Sequence, residues 1–288
     1  MKTIRVGGVP EHFNMPWHLC IEEGDFEYEH LHVEWRDFPD GTGAMNKALR
    51  NNEIDVAIIL TEGIIKDMTA GNPVKIIQKY IDSPLIWGIH VAEGSPYNTI
   101  KDLENTKAAI SREGSGSQLM AYVNAQRENW NLGSLDFEIV GDINGAIDAL
   151  KQDRAQYFMW ERFTTQPLVD KKIFRRVGEC PTPWSCFVVA AREDFIETHE
   201  HELAKMLGVV NSKSVSFKEV PGIEKLLAGR YEQKPEDIKE WLDITSWSQT
   251  QISEEEVGKV QDTLKLLGLI EKEKQASDFI YNLEANSL

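Results

Sequence analysis

The sequence predicts an α/β protein of two lobes, each a mixed sheet flanked by helices, joined by a two-strand hinge. Three observations carry this. One segment occurs twice, about a hundred residues apart: Ala48-Leu49-Arg50-Asn51-Asn52-Glu53-Ile54-Asp55-Val56-Ala57-Ile58-Ile59-Leu60, then Ala149-Leu150-Lys151-Gln152-Asp153-Arg154-Ala155-Gln156-Tyr157-Phe158-Met159-Trp160-Glu161. Each copy reads as a helix ending in Ala-Leu-basic, a polar turn and a buried strand, so two similar αβ units suggest two similar lobes. Strand and helix patterns also alternate through most of the chain. No linker rich in Pro, Gly or Ser separates the lobes, whereas two apolar stretches, 85–91 and 186–191, suit strands crossing between them.

In order, 2–9 reads as a strand and 10–17 as a loop of unusual side chains. A helix over 17–23 stops at Gly24, and 31–38 alternates as a strand. A helix runs from Gly41-Thr42-Gly43 to Arg50, with Thr42 or Asp40 as its cap. Residues 56–60 form a buried strand, and 64–70 a helix stopped by Gly71. Strands follow at 74–80, 85–91 and 107–111, then a long helix from Ser117 to about Glu128, a strand at 137–140, a helix at 143–150 and the second repeat strand. Residues 174–178 and 186–191 are strands. From Asp194 the chain turns Glu/Lys-rich, with amphipathic helices at 195–214, 220–227, 235–242 and 253–267 that cover a sheet. The lobes implied are 1–90 with 191–288, and 91–190.

At 288 residues the chain can hold two medium domains, and eight Trp supply large buried surfaces. The net charge of −16 argues against a nucleic-acid partner, which needs clustered Lys and Arg. No stretch approaches the ~18 apolar residues of a membrane span. The start Met1-Lys2-Thr3-Ile4-Arg5-Val6 reads as a strand and not as a secretion leader, so a cytoplasmic location is expected, or an extracytoplasmic one if a leader was removed. The three cysteines suit buried free thiols, with a Cys180–Cys186 bridge as the alternative. His30-x-His32 and His199-x-His201 lack partners at metal-site spacing, and Gly114-x-Gly116 lacks the rest of a dinucleotide fingerprint, so no metal or cofactor is expected.

The chain resembles the type II periplasmic-binding-protein fold, and more narrowly the solute-binding proteins of the nitrate/sulfonate/taurine and thiamine-precursor group. Ile4-Arg5-Val6-Gly7, Gly41-Thr42-Gly43 and the first repeat copy carry the likeness in one lobe. Ile100-Lys101-Asp102-Leu103, Ala108-Ala109-Ile110-Ser111-Arg112, Gly114-Ser115-Gly116-Ser117 and Ala149-Leu150 carry it in the other, so it covers roughly residues 1 to 230. The resemblance implies a monomeric binding protein that closes its lobes on a small polar, anionic or heteroaromatic ligand, with an ABC-transporter permease as possible partner. It is also similar to the leaderless, cytosolic subset of the fold, some of whose members are enzymes of the alternative menaquinone pathway acting in the interlobe cleft. The cysteines do not form the iron motif of the related thiamine-pyrimidine synthases.

In open α/β sheets ligands sit beyond the carboxyl ends of the strands, and the candidate residues lie there. Ser115, Gly116 and Ser117 open a helix whose unpaired N–H groups attract an anion, and Arg112 adds a bidentate cation. His12, Phe13 and Asn14 follow the first strand: a ring that titrates near neutrality, a stacking face and a two-way hydrogen bonder. Thr61 and Glu62 end the first repeat strand, and Trp160 and Glu161 the second, offering acceptors and a stacking face. Trp87 sits in the first crossing. Against these stand ordinary alternatives: a capped helix with an exposed Arg112, aromatic packing for Phe13 and Trp87, and surface pairing of Glu161 with Arg162 or Arg154. His12 with Glu62 or Glu161 are the acid/base candidates if the chain is an enzyme.

Overall fold

The strands apolar on both faces lie inside the sheets. The computed structural model describes residues 2–283. The outbound part of the first unit holds β1 (Lys2–Gly8), α1 (Met15–Glu22), α2 (Asp25–Tyr28), β2 (Leu31–Asp37), α3 (Thr42–Arg50), β3 (Val56–Leu60), α4 (Thr61–Thr69) and β4 (Val74–Ile81). The second unit, Pro84–Pro183, holds β5 (Ile86–Ala92), β6 (Lys107–Ile110), α5 (Gly116–Arg127), β7 (Asp136–Ile139), α6 (Ile143–Lys151), β8 (Tyr157–Glu161), α7 (Arg162–Asp170) and β9 (Phe174–Pro181). The chain then returns to the first unit with β10 (Phe187–Arg192), α8 (Glu193–Ser216), α9 (Ile223–Tyr231), α10 (Pro235–Ile244) and α11 (Glu254–Leu266).

In the first unit the order is β2-β1-β3-β10-β4. β1 runs parallel to β2 and β3, and β10 antiparallel to β3 and β4. The continuous runs Val-Ala-Ile-Ile-Leu and Phe-Val-Val-Ala-Ala-Arg form the central pair β3–β10, whereas the alternating β2 takes an edge. The other edge, β4, is not left open: Lys79 and Asp82 donate backbone hydrogen bonds to Thr250 and Ser246, and Ser248 donates to Tyr80. The second unit repeats the plan as β7-β6-β8-β5-β9, with β5 antiparallel to β8 and β9.

The duplicated segment is the same device in both units. After α3 and after α6 the turn uses one left-handed residue, Asn52 (φ 59°) and Asp153 (φ 56°). Both are residue types that tolerate that region. The next residue closes back on the helix, Glu53 N–H to the Ala48 carbonyl at 2.8 Å and Arg154 N–H to the Ala149 carbonyl at 2.9 Å.

Several elements differ from expectation. α7 occupies a stretch to which no expected element was assigned; Pro167 is tolerated inside it, and Glu161 caps its start. α4 begins at Thr61 rather than 64. The cap position of α3 is Gly41, at φ 70° and ψ −153°, so neither Thr42 nor Asp40 caps it. That conformation is suited to glycine. The expected limits at 90/91 and 190/191 fall within β5 and β10, whereas the units divide at Ser83/Pro84 and Pro183/Trp184. β5 and β10 each pair wholly inside one sheet, so the crossings are the short Pro-bearing segments before them. None of the three cysteines forms a disulfide and all are buried, and burial pushes the Cys180 thiol up to about 11.

Candidate functional site

In the first unit the carboxyl ends of β1 and β3 and the start of β10 share one sheet edge, since Leu60 pairs with Phe187. Thr61, the first residue of α4, is fully buried and spends its polar groups on the return segment. Its hydroxyl donates to the Ser185 carbonyl at 2.6 Å, and its N–H to the Cys186 carbonyl at 3.1 Å. Glu62 follows in the first helical turn, 4% exposed, and its Oε2 accepts from Trp184 Nε1 at 2.8 Å. Burial lifts its carboxyl to about 7, against the pull of its own backbone N–H and of Trp184.

The loop after β1 forms a 3-10 turn at His12–Asn14, and all three residues are buried. His12 stacks on Trp241 with ring centroids 4.0 Å apart and lies 5.7 Å from Tyr231. Burial holds its ring down at about 3, so the expectation that it titrates near neutrality is corrected. Phe13 packs against Phe187 and Trp241, and its carbonyl accepts from the Tyr80 hydroxyl at 2.8 Å. Asn14 donates through Nδ2 to the Val9 carbonyl at 2.8 Å, while its buried Oδ1 has no hydrogen-bond partner among the described residues. That acceptor is open to an N–H or O–H donor.

In the second unit the corresponding edge carries the turn from β6 into α5. Ser115 is the N-cap, and its Oγ accepts from Gln118 N–H at 3.4 Å. Ser117 Oγ lies 3.0 Å from Ser115 Oγ and accepts from Ser111 N–H at 3.0 Å, so a buried serine chain shapes the turn. A Cβ added at Gly116 would lie 3.0 Å from Trp87 Cη2 and 3.3 Å from Cζ2. Glycine permits that close approach. Trp87 is buried and its Nε1, on the same long edge of the indole as Cζ2, has no hydrogen-bond partner among the described residues. Trp160 stacks on Phe158 and meets Trp87 edge-on, centroids 6.3 Å apart. Arg112 is exposed and makes no ion pair among the described residues.

Glu161 is buried, and its two carboxylate oxygens accept from Phe163 N–H at 3.0 Å and from Thr164 N–H at 2.6 Å. Burial raises its carboxyl, and these helix N–H groups oppose that rise. The surface alternative for Glu161 does not form: Arg154 pairs with Glu138 and Arg162 with Glu179. The Glu62–Trp184 contact has no local signal in the sequence, since it joins residues 122 apart through the β3–β10 register. No cluster of metal-ligating side chains occurs, and no helix is long and apolar enough to cross a membrane, among the described residues.

Two sheets of this order, flanked by helices, define the class: a type II periplasmic-binding-protein-like fold. A family profile, Ca3427-like PBP, matches residues 87–180, within the second unit. The solved structure of the Candida albicans CA3427 gene product, described as exhibiting the generic periplasmic binding protein fold, is 25% identical and has a TM-score of 0.88, covering 100% of this chain and 99% of its own. The periplasmic aliphatic sulphonate binding protein SsuA from Escherichia coli is 18% identical with a TM-score of 0.79, covering 99% and 95%. PhnD1 from Prochlorococcus marinus, in complex with methylphosphonate, is 12% identical with a TM-score of 0.64, covering 93% and 99%. No curated protein matches the sequence.

Proposed function

We propose that this chain is a solute-binding protein for a small molecule with an oxyanion head, and that its two units close on that solute. The observation that carries the reading is the start of α5. Backbone N–H groups of a 12-residue helix and a buried indole N–H from Trp87 beside Gly116, unpartnered among the described residues, offer donors to an anion. The Arg112 guanidinium, exposed and without an ion pair among the described residues, adds a further set. Helix N-termini and guanidinium forks are both suited to oxyanions. The Trp87–Trp160 pair gives an apolar wall for the rest of the solute. That similar folds bind an aliphatic sulphonate and methylphosphonate supports the choice of head group. A transporter permease is the partner this reading implies. Titration calorimetry with small sulfonates, phosphonates and carboxylates tests it: at least one series binds, Arg112→Ala weakens it roughly tenfold or more, and scattering shows compaction on binding. A protein that binds none of the three series overturns the reading.

A second reading, an enzyme on the same fold, is favoured by Glu62, whose carboxyl titrates near neutrality as an acid/base group must. Its test is turnover of a co-purified metabolite, lost in Glu62→Gln.

A further inference from the structure

In a chain of net charge −16, one place in the second unit concentrates positive charge. Arg162 opens α7, and Arg176 lies on β9, which α7 covers. Arg162 Nε is 2.9 Å and Arg176 Nη1 3.5 Å from the same atom, Glu179 Oε1. The arginine side chains are only 18% and 13% exposed, whereas that of Glu179 is 38% exposed. Arg127 adds a third guanidinium, donating to the Glu179 carbonyl at 3.0 Å.

A single carboxylate oxygen shared with a neighbouring guanidinium is a poor match for the Arg176 fork, which suits two parallel N–H···O bonds. Arg176 shows the shortfall. Its Nη2 donates to Gln166 Oε1, but its Nε is buried with no partner among the described residues. The other nearby carboxylate, Glu161, cannot make up the difference, because both its oxygens are held by the N-terminus of α7. Burial, then the neighbouring Arg162 charge, pull the Arg176 guanidinium below its ordinary range.

We propose that Arg162 and Arg176 form an oxyanion-binding site in the second unit, with Glu179 as an internal counter-ion that an incoming anion displaces. The ligand is a group with two or more oxygens on one centre, one for each guanidinium, such as a sulfate, a phosphate or the head of a sulfonate. It replaces the single shared oxygen and gives the Arg176 Nε an acceptor, while the more exposed Glu179 side chain turns to water. Neither arginine belongs to the start of α5, and the proposal does not depend on the solute reading.

The test is binding of inorganic sulfate, inorganic phosphate and methanesulfonate to the full chain, by calorimetry and thermal shift at constant ionic strength against chloride. Removing the competing carboxylate with Glu179→Gln tightens sulfate or phosphate roughly tenfold or more, a gain that a misfolded variant cannot imitate. Arg176→Gln loses the response, and Arg112→Ala keeps it. A methanesulfonate response that is likewise lost in Arg176→Gln assigns the site to a solute head group, and a response to the inorganic ions alone assigns it to a free anion. The proposal falls if none of the three anions binds, if Glu179→Gln leaves anion affinity unchanged, or if the response survives Arg176→Gln, whether or not Arg112→Ala removes it.

Discussion

Trp184 Nε1 donates a 2.8 Å hydrogen bond to Glu62 Oε2, tying the first residue of the returning chain to the first turn of α4. Ser185 strengthens the tie, its N–H donating to Glu256 Oε1 at 2.7 Å and its hydroxyl to Asp82 Oδ1 at 3.2 Å. Glu62 therefore holds the return segment in place, whatever it does for a ligand. The folded chain binds the Glu62 proton more tightly than the unfolded chain, because burial lifts the carboxyl from about 4.5 to about 7. Stability from this group is then full below pH 4.5 and declines as pH rises to 7. Glu62→Gln keeps an acceptor for Trp184 and removes the buried charge. We expect it to be more stable than the parent at pH 8, by up to roughly 3 kcal/mol, and to lose the advantage at pH 4.5. Urea unfolding at the two pH values measures this, and equal differences at both would show that Glu62 is not the titrating group.

His12 works in the opposite direction. Its folded value of about 3 lies below the ordinary 6.5, so the unfolded chain takes up the proton first and stability falls as pH drops below 6.5. His12→Phe keeps a ring against Trp241 and has no proton to accept. Between pH 6.5 and 5 the variant should escape about 2 kcal/mol of the parent's loss. Denaturant midpoints across that range check it. A parent and variant that weaken in parallel would mean that the His12 ring protonates in the folded state.

The parts of this fold readable in the sequence are those with a local period. The duplicated turn, the continuous runs of β3 and β10 and the capped start of α5 depend on neighbours a few residues apart. The chemistry of the candidate residues is not readable in the same way. His12 is neutral because it is buried, and the rings against it include Trp241, more than two hundred positions away. Thr61 is spent on carbonyls that β10 brings beside it. Arg162 and Arg176 give no sequence signal because they meet only where α7 packs on β9.

The ion pairs of the first unit give a third expectation. Asp55, 3% exposed in its side chain, accepts from Arg5 Nε at 2.9 Å, Arg5 Nη2 at 2.6 Å and the Arg5 N–H at 2.9 Å, and it lies 3.5 Å from Arg192 Nη1. It fastens the strands β1 and β10 where β3 begins. Removing one member of a buried pair leaves the other charge uncompensated, typically at a cost of about 3–5 kcal/mol. Asp55→Ala should lose about that much in urea unfolding. Arg5→Ala should lose less, since Arg5 is 38% exposed and Arg192 still faces Asp55. Equal losses would indicate that Arg192 gives Asp55 no support.

Glu161 and Glu62 look like counterparts in the duplicated segment, yet the structure gives them different work. Leu60 and Glu161 are the equivalent positions, each the N-cap of the helix that follows, with φ/ψ of −60°/132° and −53°/133°. Leu60 has no side chain to offer its helix, whereas Glu161 satisfies Phe163 N–H, Thr164 N–H and the Thr164 hydroxyl. A negative charge there also suits the positive end of the helix. Replacing a capping side chain by alanine costs about 0.5–2 kcal/mol, and Glu161→Ala should sit at the upper end because several donors are orphaned together. Glu161→Gln keeps an acceptor oxygen and should lose less than half as much. Neither should change affinity for a solute bound at the start of α5 by more than about twofold once the protein is folded, since a carboxylate spent on its own helix has little left for a ligand. Calorimetry beside urea unfolding separates the two roles: a tenfold loss of affinity in Glu161→Gln with little loss of stability would return Glu161 to the binding surface.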